Sequence, residues 1–252
     1  MPTYPDLTLV DNHRLAVAAA LRAAGIPGKV VDAIKTKALL TGRKQTGKHA
    51  TNRDPRWTLS EDHPQYGTER DCKIIFCVLG GQIFCFDNAP PVPTELKRVS
   101  ASVKAFGPDL KDILESSYLH TSIQPGKFVD SLLLEHFDFN ALVEEGINPV
   151  HGHSGFHLGH EDPTRSPKHT PDNIAWRTFR SNLIQGNMTL RQSRIYFVKL
   201  IGRYFDLGEI PIPGEAGNKA TDATLAVAAE MLGDGEPEVD VDATVEVASH
   251  SE

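Results

Sequence analysis

Hydrophobic and polar positions alternate in blocks along this chain, and each block suggests an element. Residues 14–24 are rich in alanine and leucine, favour a helix by intrinsic propensity, and end at Gly25 and Pro27. Asp11 or Asn12 is the expected cap. A second helix is expected over 29–40, burying Val30, Val31, Ile34, Ala38 and Leu39. Residues 41–70 have no period and many turn formers, which predicts a long loop. Residues 73–79 and 82–86 are two almost wholly apolar runs flanking Gly80-Gly81, the pattern of a β-hairpin covered on both faces. Residues 94–106 and 109–119 read as short helices, and 127–145 as a longer one with Phe128, Leu132, Leu133, Phe137 and Leu142 inward.

From residue 155 the pattern shortens. Residues 155–159 form a strand candidate ending on His160. A loop with Pro163, Pro167 and Pro171 follows, then Asp172-Asn173 and a second strand candidate over 174–179. Ser181 and Asn182 open a helical pattern that continues to about Phe205. Residues 210–214 contain two prolines and a glycine and close the periodic part. Beyond them only 221–232 suggests a helix, and the acidic remainder is too poor in large apolar groups to fold alone. The expected organisation is an N-terminal mixed α/β region over 1–149, a second region over 150–213, and an acidic tail over 214–252.

The strand–loop–strand–helix order gathers three side chains capable of chemistry. A histidine near neutral pKa can take a proton from water. A carboxamide oxygen is a hard donor suited to Mg²⁺, which keeps most of its waters. His160 ends the first strand, Asn173 stands where the loop enters the second, and Asn182 lies in the first turn of the helix. Each has a plainer reading: a core or turn histidine, an Asx turn and a helix cap.

This stretch resembles the HNH (ββα-metal) nucleases. The resemblance rests on Gly159-His160, the loop, Asp172-Asn173-Ile174, and Asn182 nine residues after Asn173. The runs 173–176, 181–186 and Thr189-Leu190 are similar to HNH domains of some type II restriction endonucleases. The resemblance covers roughly residues 150–205. It implies that His160 is the general base, that Asn173 ties the loop and orients His160, and that Asn182 ligates Mg²⁺ or Mn²⁺. Two departures stand out. Many members carry a metal-binding Asp where this chain has Gly159, which leaves Glu161, Asp162 or His157 to supply a further ligand. Many also hold a structural zinc through Cys pairs, one of which would fall on Thr178 and Ser181. No structural zinc is therefore expected, with packing by Trp176, Phe179, Ile195, Phe197 and Phe205 in its place. A different use of His151, His153, His157 and His160, as a zinc site in an interaction module, stays open.

Charge fits a nucleic-acid partner once its distribution is read. The formal net charge is −7, yet residues 214–252 hold ten acidic residues against one lysine, so the rest is slightly positive. Residues 151–205 carry eight Lys or Arg against three acids. Lys168, His169, Arg177 and Arg180 are the candidate DNA contacts there, and the basic start of the long loop, Arg43, Lys44, Lys48 and Arg53, is another. Cys72, Cys77 and Cys85 fit no C-x-x-C pair and read as small buried apolar residues in a reducing cytoplasm. No apolar run is long enough to span a membrane, and the first twelve residues lack the basic and apolar regions of a secretory leader. The sequence thus predicts an α+β, cytoplasmic, metal-dependent endonuclease acting on double-stranded DNA, with a homodimer as the simplest way to cut both strands. A DNA-binding protein with a degenerate HNH fold is the alternative.

Overall fold

The computed structural model describes residues 3–41, 53–94, 109–149 and 154–210. The chain divides into two compact units, Met1–Ile195 and Tyr196–Glu252. The fold is α+β: seven α-helices and one two-stranded antiparallel sheet among the described residues.

Helix α1 spans Leu7–Ala23, and Asp6 rather than Asp11 or Asn12 caps it by accepting from the Leu9 amide at 3.0 Å. Gly25, at φ +98°, terminates it. Helix α2 spans Gly28–Leu39 and buries Val31, Ile34, Ala38 and Leu39. Among the described residues of the long loop, Arg56–Thr58 forms a 3-10 turn. The basic residues Arg43, Lys44 and Lys48 lie outside the described residues.

The expected hairpin over 73–86 is instead helix α3, Glu69–Ile83. Thr68 caps it, accepting from the Asp71 amide at 3.1 Å, and Glu69 and Asp71 favour its first turn. An apolar run buried on all sides has no period to separate strand from helix. The two glycines serve packing, not a turn. A Cβ on Gly80 would lie 2.4 Å from Cγ1 of Val17 in α1, and one on Gly81 would lie 3.2 Å from Leu119. Helix α3 is the centre of the core, with ten of its residues buried, Ile74, Ile75, Phe76 and Leu79 among them.

Helix α4 spans Asp109–Leu114 and runs into a π turn, Glu115–Leu119, that stops at left-handed His120. The long helix expected over 127–145 is reduced to α5, Phe139–Ile147, capped by Asp138. Residues 127–138 are irregular, with a turn over 131–133 between the bridged Val129 and His136: Asp130 receives the Leu132 and Leu133 amides at 2.8 and 2.9 Å, and Leu134 has φ +60°. The expected helices over 94–106 and 221–232, like the acidic tail, fall outside the described residues or largely so.

Strands β1, Phe156–His160, and β2, Ile174–Thr178, pair antiparallel with Gly159 opposite Ala175 and His160 opposite Ile174. Side chains alternate across the ribbon. Leu158, His160, Ile174 and Trp176 share the face toward the core, where the Trp176 indole donates to the Leu79 carbonyl at 2.9 Å. His157, Gly159, Ala175 and Arg177 share the other face. Helix α6, Phe179–Gln185, follows β2 directly and ends at Gly186, φ +52°. Helix α7, Leu190–Asp206, comes next, so the single helix expected from Ser181 to Phe205 is two. All three cysteines are buried and free, and burial pushes the Cys72 and Cys77 thiols up to about 12. Among the described residues no helix is long and apolar enough to cross a membrane.

Candidate active site

The ribbon and α6 give each candidate residue a definite place. Asn173 is fully buried, and its carboxamide makes three hydrogen bonds. Its Oδ1 accepts from the Asp162 amide at 2.8 Å, and its Nδ2 donates to the carbonyls of Asp162 and Lys168 at 2.9 and 2.7 Å. One side chain thus closes the whole proline-rich loop. The Asn173 carbonyl also receives the Glu161 amide at 2.9 Å, one residue after His160.

Asn182 does not cap α6. Thr178 does, accepting from the Ser181 amide at 3.1 Å, which leaves the Asn182 carboxamide for other work. Its Oδ1 lies 2.9 Å from where a Cβ on Gly159 would be. The residue before His160 and the helix asparagine are therefore neighbours, although 23 positions separate them in the sequence. The stem of Arg177 crosses the same spot, with Cγ 2.5 Å from that Cβ position.

Arg177, expected at a DNA phosphate, is fully buried instead. Its Nη2 donates to Glu161 Oε1 at 2.9 Å, and its Nη1 lies 3.8 Å from Asp130 Oδ1. Buried between two carboxylates, it is a structural cation. Asp130, also fully buried, accepts from the Ser181 hydroxyl at 2.7 Å and the Thr178 amide at 3.0 Å. Those are the two positions where the resemblance puts a Cys pair. A buried carboxylate ties them, and the expected apolar packing does not: Trp176 is buried, but Phe179 and Ile195 are 50% and 44% exposed. Gln185 completes the polar layer, donating to the carbonyls of His160, Glu161 and Met188.

His160 is half-buried on the core face of the ribbon, the face opposite Asn182. Burial, then the charges of Lys168 and Arg56, lower its pKa to about 4, so it is neutral at physiological pH. His169, expected at DNA, is buried, with Nε2 2.8 Å from the Ala38 carbonyl. Burial, then Arg56, lowers it to about 3. Arg180 is exposed and Lys168 half-buried. Arg56, a cation beside His160, has no signal in the sequence, because it lies 104 residues earlier with no motif around it. His151 and His153 lie outside the described residues, and the His157 ring lies tilted against Phe179, ring centres 5.2 Å apart.

Among the described residues no cluster of three or more His, Cys, Asp or Glu is placed to hold a metal ion. The Asn182 carboxamide oxygen is a donor of the kind Mg²⁺ takes, since that ion fills its remaining positions with water, while the stem of Arg177 occupies the space beside Gly159.

No family model matches the sequence, and no curated protein matches it. Among solved structures, one similar chain is described as a type II restriction endonuclease, at 12% identity and a TM-score of 0.49, covering 69% of this chain and 76% of that one.

Proposed function

We propose that this chain is a metal-dependent DNA endonuclease of the HNH type, acting as a type II restriction endonuclease. The observation that carries the reading is the meeting of Asn182 with Gly159, immediately before His160, inside a strand–loop–strand–helix unit closed by Asn173. His160, neutral at pH 7, takes the proton of the water that attacks phosphorus. Asn173 holds the backbone around His160 through its own carbonyl and carboxamide. Asn182 holds Mg²⁺ or Mn²⁺, which when bound stabilises charge on the phosphate and the leaving oxygen. Arg180 and Lys168 meet the DNA backbone, and two copies of the chain are needed to cut both strands in one event.

The test compares wild type and His160→Ala on plasmid DNA with Mg²⁺. Loss of roughly 10²-fold or more in rate is expected. Equal cutting by both sinks the assignment. A second reading is favoured by one observation: the strand pleat sets the His160 ring on the face opposite Asn182. A non-catalytic DNA-binding protein tolerates that separation, and retained salt-sensitive DNA binding without any cutting by wild type identifies it.

A further inference from the structure

Arg56 is a half-buried cation anchored without being neutralised. Its Nη1 donates to the Gln65 carbonyl at 3.1 Å and its Nη2 to the Lys37 carbonyl at 3.3 Å, both uncharged acceptors. Its Nε is buried with no hydrogen-bond partner. No carboxylate forms an ion pair with Arg56 or with Lys168 among the described residues. Charges withdrawn from water are normally paired. Arg177 also has a buried Nε and Nη1 without hydrogen-bond partners, and differs from Arg56 in the two carboxylates beside it.

Hydrogen bonds link the segments that carry Arg56 and His160. His169 meets the Ala38 carbonyl, adjacent in the chain to the Lys37 carbonyl that holds Arg56. Lys168 precedes His169, and its carbonyl is bound by Asn173 Nδ2. Asn173 in turn receives the amide that follows His160. The charge of Arg56 is felt at both histidines. Two cations without ion pairs, on segments linked to the one that carries a neutral imidazole, are complementary to an anion.

We propose that Arg56, together with Lys168, binds a phosphate of the DNA backbone beside His160. This rests on the nuclease reading for its ligand and assigns that reaction a phosphate-holding residue from the N-terminal half of the chain. The fixed fork of an arginine suits phosphate oxygens, and an anchored one loses little freedom on binding.

Binding of a short duplex is measured against salt concentration in the His160→Ala background, so that cutting plays no part. Arg56→Gln and Lys168→Gln are each expected to reduce the slope of log affinity against log salt by about one. Each is also expected to weaken binding at low salt by about tenfold. Arg56→Lys, which keeps the charge, should retain the slope. Unchanged slopes in both Gln variants overturn the proposal. If Arg56→Gln does not fold, Lys168→Gln decides alone, because Lys168 has no ion pair to lose. Reduced slopes alongside a wild type that never cuts DNA refute the nuclease reading and leave the phosphate site standing.

Discussion

The stem of Arg177 lies across Gly159, with Cγ 2.5 Å from the place a Cβ would take. The glycine is therefore a packing requirement of a buried arginine. Gly159→Ala forces that stem or Asn182 aside and should cost about 1–3 kcal/mol of stability, the usual size for overpacking. Gly159→Asp alone should be worse, because it adds a carboxylate to the same space. Combined with Arg177→Ala it should recover much of the loss. Urea unfolding of wild type, the two single variants Gly159→Asp and Arg177→Ala, and their double checks this, and additive losses in the double variant would contradict the packing argument.

Asp130 binds two main-chain amides of its own turn, the Thr178 amide and the Ser181 hydroxyl, and lies beside Arg177. Asp130→Ala strips these groups of their acceptor and leaves Arg177 only Glu161. A loss on the order of 3–5 kcal/mol is expected, as for a broken buried ion pair. Ser181→Ala should cost about 1–2 kcal/mol, and less again once Asp130 is gone. Denaturant midpoints across that cycle measure the coupling. Independent, additive effects would mean that Asp130 does not pin the first turn of α6.

Acid should destabilise the fold through His169. Its pKa is lowered from 6.5 to about 3, so the unfolded chain binds its proton more readily than the folded one. The stability it contributes is complete above pH 6.5, falls as pH drops below that value, and is exhausted near pH 3. The loss over that window is on the order of a few kcal/mol. His160 adds to it over 6.5 to about 4. His169→Gln keeps a donor for the Ala38 carbonyl and cannot titrate. Its urea midpoint should fall less than that of wild type between about pH 7 and about pH 4.5. Equal falls would remove His169 as the cause.

Local chemistry makes part of this legible from sequence. The two strands appear within one residue of the expected bounds, because turn formers and prolines frame short apolar runs there. Asn173 closes its loop as an Asx residue facing such a loop can. What the sequence hides is carried by distant partners. Asp130 works on residues 48 and 51 positions later, and Arg56 hangs from carbonyls before and after it in the chain. An arginine on a strand reads as exposed until the carboxylates beside it are known, which is why Arg177 is expected at DNA and found in the interior. The hairpin expected over 73–86 fails similarly, since only the neighbouring helix shows why Gly80 lacks a side chain.

That last point can be measured. Within a helix, alanine is preferred over glycine by about 1 kcal/mol, so Gly80→Ala gains locally and loses against Val17, whose Cγ1 is 2.4 Å from the new methyl position. The clash should win, giving a net loss of about 1–3 kcal/mol. Val17→Ala removes the obstructing methyls and creates a cavity that the methyl added at position 80 partly fills. In that background Gly80→Ala should be neutral or stabilising. In a β-turn at Gly80-Gly81 the same substitution is unfavourable for backbone reasons that no change at Val17 can relieve. A thermal or urea double-mutant cycle over positions 17 and 80 therefore separates a packed helix crossing from a turn, and a Gly80→Ala penalty of equal size in both backgrounds would rule out the crossing.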